Sequence, residues 1–180
     1  MSRAIDILKQ EHEAIIAALN ILDTFTQQLS ADQAVNGDDI SALLSVFSEF
    51  ADRCHHGKEE ELLFPALVRA GLASGQGPLA SMLNEHVEAR RCLREMNAAA
   101  TPPLNLADFG QAAERYSALL RAHIDKENEA LFPMAEEVLS QTQLDALADA
   151  FEEHELKLMG AGRHEALHAL IKRLQKRYLM

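Results

Sequence analysis

Tryptophan is absent from this 180-residue chain, glycine (8) and proline (5) are few, and cysteine occurs only twice. Each scarcity removes a class of protein. Cys54 and Cys92 cannot build a disulfide framework and suit a reducing compartment; Cys54 falls on a helical stripe and reads as a buried thiol. With glycine and proline scarce and Ala, Leu, Glu and Gln abundant, the chemistry is that of helices. No apolar run approaches the roughly 20 residues that cross a bilayer. The stretch from Met1 to Glu13 carries acids and no unbroken apolar segment, so no signal peptide is expected. Basic residues are outnumbered, and a net charge of −11 argues against nucleic acid as a main partner. The basic end, Lys172, Arg173, Lys176 and Arg177, reads as a complement to a helix C-terminus. What is present is enough for one domain with a real core, since 48% of the residues are apolar. The expectation is a cytoplasmic protein, monomer or homodimer, without membrane or nucleic-acid partners.

Hydrophobic periodicity predicts six helices. The first runs from about Ser2 to Leu29, with Ile5, Leu8, His12, Ile15, Leu19 and Leu22 on one stripe. The second opens at Asp38 or Asp39 and turns Ile40, Leu43, Leu44, Phe47, Ala51, His55, Glu59 and Leu62 inward. A breaker-rich loop, Gly71 to Pro78, precedes a third helix carrying Leu79, Met82, His86, Leu93 and Met96, which Thr101-Pro102-Pro103 ends. The fourth, capped near Asn105 or Asp108, presents Tyr116, Leu120, His123, Glu127 and Leu131. Residues Gln141 to Met159 and Arg163 to Tyr178 form two more, divided by Gly160-Ala161-Gly162. Short polar connections make consecutive helices antiparallel. The predicted fold is all-α, an up-down-up-down four-helix bundle over residues 1–139 with a C-terminal helical extension over 140–180, together one domain of 1–180.

The chain repeats itself. Cys54-His-His-Gly-Lys-Glu-Glu-Glu-Leu-Leu-Phe-Pro65 aligns without a gap on Ala122-His-Ile-Asp-Lys-Glu-Asn-Glu-Ala-Leu-Phe-Pro133. A second echo precedes each copy, Lys9-Gln-Glu-His12 against Leu83-Asn-Glu-His86. The bundle is thus a duplicated two-helix unit, and each unit carries one His, then a His with a Glu one turn on. Counting back from the turns, His12 and His55 lie roughly 25 Å down their helices and His86 and His123 roughly 22 Å, so each pair sits at one level.

Residues i and i+4 share a helix face, so His55 with Glu59 and His123 with Glu127 can each face one ion. A lone His on an apolar stripe is usually a hydrogen-bonded core residue. Four at matched depth beside two glutamates, which are costly to bury unless coordinated or paired, point to metal. The candidate ligands are His12, His55, Glu59, His86, His123 and Glu127. Imidazole with carboxylate and no thiolate suits iron, manganese or zinc in a reactive role. Six ligands shared by two ions leave room for a bridging oxygen and a small exogenous molecule.

These motifs resemble the hemerythrin-like (HHE cation-binding) proteins. The resemblance runs through Glu11-His12, His55 to Pro65, Gly77-Pro78, Met82 to His86 and on to Arg90, His123 to Asn128, and Leu131-Phe-Pro133. It implies a four-helix bundle around a non-haem centre of two iron ions, oxo- or hydroxo-bridged, with the same six residues as ligands. The implied function is binding or reaction with dioxygen, peroxide or nitric oxide; the alternative is non-catalytic iron or oxygen storage or sensing. Oxygen-carrying members have a further His where Arg90 stands here, and an Asp where Asn128 stands, so the resemblance favours redox chemistry over oxygen carriage and leaves enzymatic activity open.

Other residues compete for roles. His56 lies 100° round an α-helix from His55 and is matched by Ile124, so a supporting or interhelical role is expected, with ligation the alternative. Arg90 either holds an anion or a bridging carboxylate, or pairs with a surface Glu. Tyr116 is read as a core tyrosine and His154 as a structural residue, an extra ligand only if its helix folds over the site. His164-Glu165-Ala166-Leu167-His168 matches the zinc-protease signature, but no downstream third ligand follows, so a protease is not expected.

Overall fold

The computed structural model describes residues 2–180, and among these there are six helices and no strand. Met1, the first residue of the expected bundle segment, lies outside the described residues. Helix α1, Arg3–Ser30, starts at Ser2, whose hydroxyl accepts the Ile5 N–H at 3.4 Å. Helix α2 covers residues 37–69. Its cap is Asn36, accepting the Asp38 N–H at 2.8 Å, and not Asp38 or Asp39. Asp39 is instead buried under the C-terminal helix, where it accepts from Tyr178 and pairs with Arg177. Helix α3 is Pro78–Ala100, and α4 covers 106–138 behind the Asn105 cap. A capping box of Ser140 and Gln143 starts α5, Gln141–Met159, and α6 is Arg163–Tyr178.

Helices α2 and α4 are not uniform. Helix α2 is α-helical over Gly37–Ser45, π-helical over Val46–His56 and Glu59–Leu63, and α-helical again over Phe64–Arg69. Helix α4 is α-helical over Leu106–Lys126, π-helical over Glu127–Leu131 and α-helical over Phe132–Val138. In the two short π turns the N–H of Phe64 reaches back to Glu59 and that of Phe132 to Glu127, five residues away. Pro65 and Pro133 follow at once. A proline ring collides with the carbonyl four residues earlier in an α-helix, and widening the turn relieves that collision. The repeated Leu-Phe-Pro is thus a device for placing a π turn beside each repeated Glu.

Helix α1 packs on α2 and α4, and α3 packs on the same two, closing a ring of four; α5 and α6 lie over the α1–α2 side. This is the expected bundle with C-terminal additions. Two apolar clusters fill it. One gathers Phe25, Phe47, Phe109 and Tyr116, the other Leu8, Leu67, Phe132 and Phe151. Each helix of the ring passes from one cluster to the other through a short polar stretch, as α1 does between Leu8 and Ile15. Leu62, expected inward, is half-buried while Leu63 is buried, because the π turn advances the register by about one residue.

Candidate metal centre

The polar stretches meet in one layer. His12, His55, Glu59, His86, His123 and Glu127 are at most 2% exposed. The rings of His12 and His55 lie 4.7 Å apart and those of His86 and His123 4.8 Å apart, so helices of matched depth do bring each pair together.

Each imidazole is held from outside by an oxygen on Nδ1. Asn128 Oδ1 lies 3.0 Å from His12, Glu11 Oε2 2.9 Å from His55, Glu60 Oε1 2.7 Å from His86, and Glu85 Oε2 2.9 Å from His123. An oxygen acceptor on Nδ1 puts the ring proton there and leaves Nε2 a lone pair. The Nε2 atoms all face the carboxylates. Glu59 turns Oε1 to His55 Nε2 at 3.5 Å and Oε2 to His86 Nε2 at 3.4 Å. Glu127 turns Oε2 to His12 Nε2 at 3.2 Å and Oε1 to His123 Nε2 at 3.3 Å. Ligand atoms about 2.1 Å from a common ion stand roughly 3.0 Å apart at the octahedral angle and about 3.4 Å apart at the tetrahedral one, and these separations lie at or just above that range. Among the described residues, all four oxygens of Glu59 and Glu127 and the Nε2 atoms of His12 and His55 are buried without a hydrogen-bond partner. Such atoms are costly unless something else binds them. A metal ion would satisfy them.

Within this layer two groups of side chains have the spacing to hold an ion: His12, His55, Glu59 and Glu127, and His56, Glu59, His86 and His123. His56 therefore stands in the layer, with the spacing that the alternative reading, ligation, requires. Its ring stacks on His86 at 4.0 Å and is 1% exposed, and its Nδ1 has no hydrogen-bond partner among the described residues. The π-helical stretch Val46–His56 is the reason. More residues per turn bring adjacent positions closer to one face, so His55 and His56 both reach inward. A run of His-His beside the repeated Leu-Phe-Pro was the available signal, and an assumed α-helical pitch hid it.

The repeat acquires a physical meaning here. The Glu before each first His clamps the second His of its own unit, Glu11 on His55 and Glu85 on His123. The repeated lysines hold those carboxylates, Lys58 on Glu11 and Lys126 on Glu85. Glu60 and its counterpart Asn128 reach across to the first His of the other unit. Phe64 and Phe132 stack on those same rings, Phe64 on His86 and Phe132 on His12. The site is a pseudo-two-fold assembly, and His56 against Ile124 is a break in it.

Burial lowers the His86 pKa, and the carboxylates of Glu59 and Glu60 more than reverse this, raising it to about 9. His55 and His123 are likewise raised against burial, by Glu59 with Glu11 and by Glu127 respectively. Burial, helped by the neighbouring His86, pushes His56 well below its ordinary value. Burial raises Glu11, but His55 and Lys58 outweigh it and bring it down to about 2. The layer thus balances negative carboxylates against imidazoles that an ion would deprotonate.

The remaining candidates fall outside the cluster. Arg90 bonds Asp52 and Glu60 at 2.7 Å each, so it braces the partner of His86 and does not touch a shared carboxylate. Tyr116 packs edge-on against Phe47 in the apolar core, as expected. His154 lies over Gly57 on α2, a contact that needs the missing side chain: a Cβ there would sit 2.9 Å from His154 Nε2. Cys54 and Cys92 are buried free thiols, and burial pushes Cys54 up to about 12.

A helical bundle closed around a buried His/Glu layer defines a metal-binding bundle protein. The Hemerythrin family, described as the Hemerythrin HHE cation binding domain, matches residues 3–135, and the chain belongs to it. An uncharacterised protein of Mycobacterium bovis and two of Mycobacterium tuberculosis are each 24% identical over 159 residues, covering 85% of this chain. The aligned stretch spans 61% of the length of those relatives. No solved structure matches the chain. Among the described residues, no helix is long and apolar enough to cross a membrane.

Proposed function

We propose that the layer holds two iron ions, one beside His12 and His55, the other beside His56, His86 and His123, with Glu59 and Glu127 shared. The site then binds or reacts with a small oxygen or nitrogen species such as peroxide, dioxygen or nitric oxide. One observation carries this reading. Nδ1 of four imidazoles is held by an outer oxygen, their Nε2 atoms converge, and four carboxylate oxygens between them have no other partner among the described residues. Imidazole and carboxylate suit iron, with manganese or zinc as competitors. Iron so held supplies electron exchange with a bound small molecule.

The chain's own residues do the rest. Glu11, Glu60, Glu85 and Asn128 fix the imidazole orientations, and Lys58 and Lys126 fix two of those anchors. Phe64 and Phe132 lie on the rings and exclude water. Seven side chains around two six-coordinate ions leave positions free for a ligand, and near-complete burial restricts it to a few atoms. Storage or sensing uses the same site without turnover. Elemental mass spectrometry of protein purified without added metal tests the centre, with about two irons per chain expected. Peroxide consumption and nitric oxide binding by that protein then separate turnover from storage. A chain that stays metal-free after anaerobic iron reconstitution contradicts the proposal.

A further inference from the structure

Three polar residues that adjoin one another in one unit are all aliphatic in the other. With the two units aligned on the repeat, Ile124 stands for His56, Leu120 for Asp52 and Ile16 for Arg90. Leu120 and Ile124 are buried in an apolar cluster and Ile16 packs against it, so the fold asks for nothing polar at these places. The polar set is nevertheless connected. Arg90 donates from Nε to Asp52 Oδ1 and from Nη2 to Glu60 Oε1, at 2.7 Å each. Glu60 in turn holds the Nδ1 of His86 at 2.7 Å. Asp52 stands one turn before His56 on α2, with its Oδ1 3.5 Å from the His56 Nδ1, just beyond the length of a hydrogen bond. That nitrogen is buried and has no hydrogen-bond partner among the described residues. One arginine thus ties the carboxylate behind His56 to the carboxylate behind His86, the two rings that stack on each other at 4.0 Å.

On the reading of the layer as a metal centre, on which this rests, we propose that Asp52, held by Arg90, is the outer anchor of His56 and makes it the fifth imidazole ligand. The other four imidazoles each have an outer oxygen on Nδ1, from Asn128, Glu11, Glu60 and Glu85. Asp52 stands in the same relation to His56, one short step from closing. Ligation through the inner nitrogen keeps the proton on Nδ1 and strengthens it as a donor, which draws the Asp52 contact shut. Arg90 keeps the Asp52 oxygen facing the ring; without the guanidinium a carboxylate so near the surface turns to water. An imidazole buried with an orphan Nδ1 is costly, and aliphatic side chains remove that cost in the other unit. The polar set therefore serves ligation and not packing. Asp52 and Arg90 do not touch the ion, and both are positioning residues.

The test is paramagnetic proton NMR of the full chain loaded with Co2+, in which each ligated imidazole gives one exchangeable, strongly shifted N–H signal. Five such signals are expected for the wild type and four for Asp52→Leu. Asp52→Asn keeps an acceptor oxygen of the kind Asn128 offers His12, and it should retain all five. Titration with elemental analysis should show Asp52→Leu binding one of its two ions at least tenfold more weakly. Asp52→Leu/His56→Ile should lose no more affinity than His56→Ile alone, because the two residues act as one unit. The triple variant Asp52→Leu/His56→Ile/Arg90→Ile copies the aliphatic fill of the other unit, so it should keep the wild-type helix content and show four signals. Four signals in the wild type, a count that needs no variant, overturn the role of His56. Five signals at unchanged affinity in Asp52→Leu overturn the role of Asp52. Ions bound with only four signals leave the metal centre standing, whereas no ion taken up refutes the centre and this inference together.

Discussion

The imidazole of His56 lies flat against that of His86, centroids 4.0 Å apart and planes 15° from parallel. One residue of α2 thereby reaches the half of the site that α3 and α4 build, and its neighbour His55 serves the other half with α1. His56→Ala should remove one ion preferentially, lowering its affinity tenfold or more while the other is retained. Stepwise metal titration followed by elemental analysis checks this. Two ions bound with unchanged affinity and an unchanged visible spectrum would reduce His56 to packing.

Glu127 touches both halves, through Oε2 to His12 and Oε1 to His123. Glu127→Ala should lose both ions, whereas Glu129→Ala, at an exposed position two residues on, should keep them. Retention of both ions in Glu127→Ala, by the same elemental count, refutes the shared role of this carboxylate.

If proline creates the π turns, Pro65→Ala/Pro133→Ala should let them relax toward α-helix and rotate Glu59 and Glu127 out of register. Helix content by circular dichroism should stay within a few per cent while metal affinity falls at least tenfold. Unaltered affinity would show that the tertiary packing, not the proline, holds the turns.

Gly57 lies against His154, so Gly57→Ala forces the imidazole of α5 away from α2. A loss on the order of 1 kcal/mol is expected, the lower end for overpacking, because the obstructing atom is a side-chain tip. His154→Ala should rescue it, and a double-mutant cycle by urea unfolding measures the coupling. Additive losses would place the strain elsewhere.

The depressed carboxyl of Glu11 sets an acid limb. Its pKa is about 2 folded against an ordinary 4.5, so its contribution to stability is complete above about 4.5 and lost as pH falls through 2. Glu11→Gln should be less stable than the wild type at pH 7, by an amount on the order of 3 kcal/mol, and the two should converge toward pH 2. Denaturation of the metal-free proteins across that range decides it; a gap that does not narrow with acid refutes the assignment.

The sequence by itself determined the helices, their order and the two units. Heptad-like stripes, caps at Ser2, Asn105 and Ser140, and glycines at 160 and 162 are local signals, and each acts within a turn or two of chain. It also determined which six polar residues share a level, because depth in a bundle is counted along a helix. Tertiary structure decided the rest. The π stretch Val46–His56 lies upstream of the turn that Pro65 marks and has no proline of its own, so the inward turn of His56 was invisible to a count made at 100° per residue. The meaning of the repeated Glu and Lys lay in contacts across helices, Glu11 to His55 and Lys58 to Glu11, between residues 44 and 47 positions apart. The side of the bundle that α5 and α6 cover is set by contacts distant in sequence, among them His154 over Gly57 and Glu155 on Lys58. Periodicity reports which face of a helix is buried; only the packed helices fix which atoms on that face meet.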